Sequence, residues 1–544
     1  MNELPYSTLA QAFRAAANRY PERDCLDVLP ETAQAYGIAA GAWTYARMTG
    51  EVDRLVALYR QAGYGHGHRI GLLLLNRPEF LCHFLALNTL GISAVPINAE
   101  FRAAELEYLI DHSELVAAVT LSSHRTALLA AAAKVGRLLP LIEPEPSLLA
   151  PAPGVAPSAG QTPNANTECA LLYTSGTTGR PKGCVLPNEY FLYAGLWYTT
   201  IGGLCEVRPG CERMLSPLPL THMNAMAVSF SCMVLSGGCL ILLDRFHPTT
   251  WWASVRASRA TIVHYLGVMP AMLMGAPPSG HDRDHAVRFG FGAGVNPRHH
   301  AAFESRFGFP LLEAWAMTET GSGAVVISNH EPRQVGTACF GRAELTVLCR
   351  VVDDEGREVP PDHVGELLVR HAGPEPRFGF FREYLKDPEA TADAWAGDWF
   401  HTGDLVRRDD QGYFRFVDRK KNIIRRSGEN ISAVEVESVL IQHPSVRAVG
   451  VSAVPDEVRG DEVLAIVVPD AEVPDAEAFA DSLVAFALER LAYYKAPGYV
   501  ALCAALPLTP TEKIQRGALK ALGVELVSTG QSVDVRNRKK RQEP

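Results

Sequence analysis

The sequence predicts an α/β protein: a large N-terminal region of several subdomains with α/β-layered sheets and a β-rich portion, followed by a small α+β C-terminal unit. Three observations lead there. Strand-sized apolar runs alternate with helical patterns through Tyr265, the signature of layered sheets with substantial parallel pairing. A length of 544 residues exceeds what one ordinary core organises. A charged interruption at Asp418–Asn422 (DRKKN) precedes a fresh α+β pattern of about 120 residues, a plausible independent unit.

Each element follows from its own residues. Leu9–Tyr20 and Tyr45–Gln61 carry apolar residues at helical spacing, and Pro78–Leu90 reads as a helix ending at Gly91. Arg69–Leu75 is a continuous apolar strand. Pro144–Pro163, rich in Pro, Ala and Ser, is a linker or surface excursion. Cys169–Tyr173 and Cys184–Leu186 read as strands flanking a polar loop. Gly238–Leu243 and Thr261–Tyr265 are buried strands separated by a helical Trp251–Arg259. Val364–Val369 and Phe414–Val417 mark the β-rich portion. Ser432–Gln442, Arg447–Val454, Glu462–Pro469 and Ala476–Leu491 form the C-terminal pattern.

Composition narrows the function. With 47% hydrophobic and 20% charged residues the chain has ample material for large cores. A formal net charge of −9 disfavours nucleic acid as the main partner. The basic tail Arg536–Arg541 (RNRKKR) reads as a solvated, disordered end. The start lacks a basic segment followed by an apolar stretch, and the apolar runs are strand-sized, so no membrane span is expected. Eleven cysteines without a CxxC pair argue for reduced thiols and a cytoplasmic protein. His299 and His300, without supporting ligands, read as surface residues.

The densest chemistry lies in the loop Thr174-Ser175-Gly176-Thr177-Thr178-Gly179-Arg180-Pro181-Lys182-Gly183. Glycines let backbone N–H groups approach oxygens, hydroxyls donate further hydrogen bonds, and Arg180 and Lys182 offset charge, a combination suited to a polyphosphate. It is not a Walker loop, because Lys182 is followed by Gly183 and not by Ser or Thr.

That loop resembles the signature of the adenylate-forming superfamily of acyl-CoA synthetases, amino-acid adenylation domains and luciferases. Further matches follow in the expected order: PLPLTHMNA at Pro217–Ala225, GFGAG at Gly290–Gly294, AWAMTE at Ala314–Glu319 and HTGDL at His401–Leu405. FVDRKKNIIRRSGENISAVEVE at Phe416–Glu437 and TPTEKIQR at Thr509–Arg516 complete them. The Asp418/Arg419/Asn422 and Arg426/Gly428/Glu429/Asn430 pattern looks most like the carnitine/crotonobetaine-CoA ligase group.

The resemblance implies an N-terminal domain over 1–420 and a lid over 421–544 that rotates about Lys421. It implies ATP, Mg²⁺, coenzyme A and a small-molecule carboxylic acid as reactants, with acyl-adenylate formation followed by thioester formation. Thr174, Ser175, Gly176, Thr177, Thr178, Gly179 and Lys182 would hold the phosphates. Lys513 matches the catalytic lysine, although Glu512 stands where the family commonly has Gly. Glu319, with Thr178, matches the Mg²⁺ contact, which needs few protein ligands. Thr318 and Trp315 flank the nucleotide, Trp315 stacking on adenine or holding a cationic acyl head. Trp315 and Ala316 stand where the family usually has Tyr-Gly, so the indole lacks the phenol hydroxyl and the Ala316 methyl adds bulk at the acyl pocket.

Gly292, Ala293 and Gly294 pass behind adenine and acyl carboxyl. Asp404 and Arg419 match the ribose contacts, His222 borders the acyl carboxylate, and Gly428 and Glu429 line the pantetheine tunnel after lid rotation. Stretches Met223–Leu235 and Phe289–Val295 give a mostly apolar acyl pocket. The leading expectation is an AMP-forming carboxylic acid:CoA ligase. The alternatives are a ligase loading a carrier protein or other acceptor, and a catalytically silent nucleotide binder. Leu220–Phe230 lacks the aspartate that pairs with an ammonium in amino-acid adenylation domains.

Overall fold

A computed structural model describes residues 4–174, 181–419, 423–507 and 514–539. The expectations for Ser175, Gly176, Thr177, Thr178, Gly179, Lys421 and Lys513 lie outside the described residues, as does the proposed domain boundary. Among the described residues the strands join into sheets of 14, seven and six strands.

In the seven-stranded sheet Arg69–Leu73 lies parallel to both Ser93–Pro96 and Ala117–Thr120. Such pairs need crossovers, supplied here by helices Pro78–Thr89 and Ala103–Ser113. Pro78 occupies the first turn, where its missing N–H costs nothing, and Pro78 through Asn88 are all buried. A helix buried on every side belongs between layers. It shares one core with Leu9–Arg19, Tyr45–Gln61, Asn188–Thr200 and Phe230–Ser236, in contact with Ile70 and Leu72 of this sheet and Met214, Leu240 and Ile262 of the larger one. Glu168–Thr174 then turns back antiparallel on Lys182–Pro187, with Thr174 opposite Lys182. Thr174 and Lys182, the residues at either end of the polar loop's sequence, are therefore held side by side.

The 14-stranded sheet has a parallel stretch containing Arg213–Ser216, Cys239–Leu242, Ile262–Leu266, Phe289–Ala293 and Leu311–Trp315. Val347–Val352, Val364–His371, Trp399–Arg408 and Phe414–Arg419 extend it in antiparallel fashion. The expected β-rich portion is thus the far end of this sheet. Residues 143–167 hold neither helix nor strand, in keeping with a surface excursion, although two of them, Leu149 and Ala156, are buried.

Ile423–Arg426, Glu429–Ser432, Val446–Asp456, Gly460–Pro469, Tyr499–Leu502 and Val533–Asp534 form the six-stranded sheet. Helices Ala433–Leu440 and Ala476–Leu488 cover it, capped by Ser432 and Asp475, whose side chains accept from the first-turn N–H groups. Its core of Ile424, Val436, Val463, Leu483 and Val484 is separate from the larger ones. One buried junction ties this unit to the N-terminal part. Lys495 Nζ lies 2.5 Å from Glu105 Oε1 and 2.8 Å from Glu435 Oε1.

Two expectations are overturned. His300 is buried, not at the surface: on the amphipathic helix Pro297–Phe307 it faces inward, 3.1 Å from Glu304 and 3.6 Å from Glu313. The basic tail, as far as Lys539, is docked and not free. Arg536 pairs with Asp456 at 3.0 Å, Arg538 with Asp481 at 2.9 Å, and buried Lys539 with Glu462 at 2.6 Å. A sequence-local view treats a charge run as solvated because it cannot see acidic partners tens of residues away.

Candidate active site

The carboxyl ends of the parallel strands Ile262–Leu266, Phe289–Ala293 and Leu311–Trp315 open into a cleft of about 1270 Å³. Crevices at strand carboxyl ends are where open α/β sheets bind ligands. Thr174 and Lys182, the closing pair of the loop hairpin, stand on its wall with Thr318, Glu319, His222 and the Gly292–Gly294 turn. Residues scattered over some 150 positions of sequence thus face one space.

Glu319 is buried, and its Oε1 accepts from the Tyr384 hydroxyl at 3.0 Å and the Thr174 hydroxyl at 3.4 Å. Burial pushes the Tyr384 phenol up, and the Glu319 charge adds to the shift, so Tyr384 remains a donor. The segment is fixed from behind: Tyr190 donates to the Thr318 carbonyl at 2.9 Å, and the Phe381 N–H to the Glu319 carbonyl at 2.9 Å. Lys182 Nζ stands 4.7 Å from the Tyr384 ring centre and 3.9 Å from Asp387. The cation and the carboxylate therefore share a tyrosine as scaffold.

Gly292 owes its identity to the neighbouring strand, since a Cβ there would collide with the Tyr265 carbonyl. Gly294 has φ +74° with open space around it, so its constraint is conformational. Behind the turn, Glu313 accepts from the Val295 N–H at 3.1 Å. Burial pushes that carboxyl up to about 7 despite the nearby His300.

Trp315 does not face the cleft. Strand alternation turns Ala314 and Ala316 toward the space and buries Trp315, whose Nε1–H donates to Asp404 Oδ2 at 2.8 Å. The expectation of adenine stacking on, or a cationic head held by, this indole meets a side chain already engaged as the support of a carboxylate. Asp404 is itself buried, and Thr402 and Gly403 line the cleft beside it. Asp404 and Arg419 sit opposite each other on paired antiparallel strands.

The C-terminal unit completes the cleft. The turn between Ile423–Arg426 and Glu429–Ser432 reaches inward, so that Glu429 lies 3.5 Å from His222 Nε2. Burial in the cleft pulls the His222 pKa down, but the charge and hydrogen bond of Glu429 outweigh it and hold the imidazole above its ordinary value. Gly428, at φ +89°, lies against Leu266, where a Cβ would collide with Leu266 Cδ1. Arg425 and the turn Pro455–Gly460 close the same side.

Sequence reasoning missed several lining residues. Leu266 ends a strand and Gly267, Val268 and Ala271 follow it, Trp197 comes from an apolar helix, and Asp387 caps the helix Pro388–Ala394 on which Asp393 lies. Only the position just past a parallel strand carried a signal, and that applies to Leu266–Val268 alone.

The model of the AMP-binding enzyme family matches residues 13–385, and that of the AMP-binding enzyme C-terminal domain matches residues 435–513. The chain belongs to the AMP-binding enzyme family. A curated relative of this AMP-binding enzyme is the crotonobetaine/carnitine–CoA ligase of Shigella flexneri, 29% identical over 507 residues that cover 89% of this chain and 94% of the relative. In fold it is similar to the o-succinylbenzoate CoA synthetase of Bacillus subtilis bound with a product analogue. The TM-score is 0.79 at 24% identity, covering 94% of this chain and 98% of that one. It is also similar to the fatty acyl CoA synthetase of Mycobacterium tuberculosis, with a TM-score of 0.66 at 27% identity, covering 95% and 98%. Among the described residues no helix is long and apolar enough to cross a membrane.

Proposed function

We propose that this AMP-binding enzyme joins a small-molecule carboxylic acid to coenzyme A, forming an acyl-adenylate from ATP with release of pyrophosphate, then a thioester with release of AMP. The observation that carries it is one cleft lined by Thr174 and Lys182, the paired ends of the polar loop, by the buried Glu319 carboxylate and by Gly428 of the C-terminal unit, with Glu429 against His222.

A carboxylate and a triphosphate repel each other, so reaction requires groups that offset charge where it accumulates. Lys182 supplies one cation at the base of the loop hairpin. Lys513 is assigned the contact to the transferring oxygens on its motif, and Thr174 to Gly179 cradle the phosphates.

Glu319 fits a Mg²⁺ contact. Its oxygen is aimed by two hydroxyls, and no cluster of three His, Cys, Asp or Glu among the described residues could hold a metal without help. An ion held there would need its remaining ligands from phosphate and water, which Mg²⁺ readily accepts. Bound, it would neutralise part of the triphosphate charge.

His222 positions the acyl carboxylate from the cleft wall. With Asp404 and Arg419 on the ribose and Gly292–Gly294 behind the acyl carboxyl, the reacting atoms are held in line. The Gly428–Glu429 turn, docked against Leu266 and His222, narrows the side through which a thiol arrives. Residues 421–544 act as a lid that exchanges faces between half-reactions, a gating step.

Exchange of labelled diphosphate into ATP with a panel of acids tests the first half. Mass analysis with CoA against a holo-carrier protein tests the acceptor. Acid-dependent exchange with CoA thioester as product is expected; a protein that binds ATP yet shows no exchange with any acid refutes the reading.

A further inference from the structure

One wall of the cleft is a π-helical turn, Asn224–Ser229, backed by a buried polar chain that adenylation chemistry does not use. His264, fully buried, places Nδ1 2.7 Å from Asn224 Oδ1 and 2.9 Å from Ser229 Oγ, and Nε2 3.2 Å from the Tyr198 hydroxyl. Burial pushes the imidazole down to about 3, so the ring is neutral and carries one N–H. Ser229 donates its proton to the Asn224 main-chain carbonyl at 2.9 Å. With that proton committed, Nδ1–H is the donor shared by Ser229 Oγ and Asn224 Oδ1, and Tyr198 donates to Nε2. The opposite tautomer, even with the Asn224 amide turned so that its NH₂ meets Nδ1, would either set the Ser229 oxygen against an unprotonated Nδ1 at 2.9 Å or take the Ser229 proton from the Asn224 carbonyl.

The tautomer in turn orients the amide. Asn224 Oδ1 points into the protein, so the NH₂ group is what this half-buried, cleft-lining residue presents to a ligand. Beside it stand Val228, on the same turn, and Phe291, whose ring centre is 5.0 Å from that of His264 and 6.2 Å from that of Trp197. None of these neighbours is charged. A fixed donor in an apolar wall calls for an acceptor on the ligand and disfavours a cation.

Resting on the acyl-adenylate reading above, we propose that Asn224 determines acid specificity: the preferred acid bears an uncharged oxygen acceptor, hydroxyl, ether or carbonyl, on its chain. Ser229, His264 and Tyr198 are positioning residues that hold the amide for it.

The test compares kcat/KM for acids matched in length, with and without the acceptor: levulinate against pentanoate and para-coumarate against cinnamate, with crotonobetaine as a cationic arm. The full-length enzyme should favour the oxygen-bearing member of at least one pair by about 10- to 100-fold, and crotonobetaine should be a poor substrate. Asn224→Leu should bring that ratio to near unity. The ratio is blind to a loss of folded protein, because both acids report on the same folded molecules. Equal kcat/KM within both pairs, a ratio unmoved by Asn224→Leu, or a preference for crotonobetaine over levulinate overturns the inference and leaves adenylation intact. Absence of diphosphate exchange with every acid instead overturns adenylation, and this inference falls with it.

Discussion

Lys495→Met is the sharpest perturbation of the arrangement described here. Lys495 is buried between Glu105 of the N-terminal part and Glu435 of the C-terminal unit, at 2.5 Å and 2.8 Å. Burial already pushes Glu435 upward, and Lys495 opposes that push. Removing the ammonium leaves two carboxylates facing each other in a dry junction, a change that typically costs 3–5 kcal/mol. Proton uptake limits the cost. Holding one carboxyl protonated at pH 7 against an ordinary pKa near 4.3 takes about 3.7 kcal/mol, or roughly 1.4 kcal/mol less for each unit of acidification.

Glu105 belongs to the other side of the interface, so undocking relieves the penalty, which falls on the docked orientation alone. Its ratio to the undocked state should drop about 150- to 500-fold at pH 7 and recover about tenfold per pH unit toward pH 5. The assay is single-turnover kinetics of the separate half-reactions, with thioester formation started from supplied acyl-adenylate. Thioester formation should fall by about two orders of magnitude relative to wild type at the same pH, while adenylation changes little. Adding Glu105→Gln should restore most of the loss. Equal loss in both half-reactions, or a defect that does not shrink on acidification, would refute the reasoning.

Other outcomes follow from single residues. Gly428→Ala, which strains a left-handed backbone and meets Leu266, should slow thioester formation about tenfold or more in the same assay while sparing adenylation. Lys513→Ala should nearly abolish diphosphate exchange yet leave thioester formation from supplied acyl-adenylate, a split that rapid-quench product analysis resolves. Glu313, held protonated up to about 7, takes more protons folded than unfolded. Its contribution to stability is therefore greatest at low pH and is lost as pH rises from about 4.3 to 7. Glu313→Gln should flatten that segment of the melting-temperature profile, raising stability relative to wild type at pH 8 more than at pH 5.

Local patterning carried much of this structure. The helix Tyr45–Gln61 ends where its apolar spacing ends, and the strands around the glycine-rich loop lie where apolar runs placed them. Thr174, Lys182, His222, Gly292, Thr318 and Glu319 were singled out by residue type and order, and the fold brings them to one cleft. What stayed hidden depends on direction or distance. Trp315 looked like a ligand platform because its motif position is known but its strand face is not; alternation turned it onto Asp404. His300 and Lys539 looked exposed because their acidic partners lie elsewhere in the chain or on another turn of the helix. The Glu105–Lys495 junction spans 390 positions and the Asn224–His264 contact 40, separations that no local periodicity encodes.

The central claim is that the acid's own oxygen attacks the nucleotide's α-phosphorus. Carboxylate doubly labelled with oxygen-18, turned over with ATP and CoA, tests it directly by mass analysis of the released AMP. One labelled oxygen in each AMP and none in pyrophosphate is the predicted result. Unlabelled AMP, or label in pyrophosphate, would contradict the account.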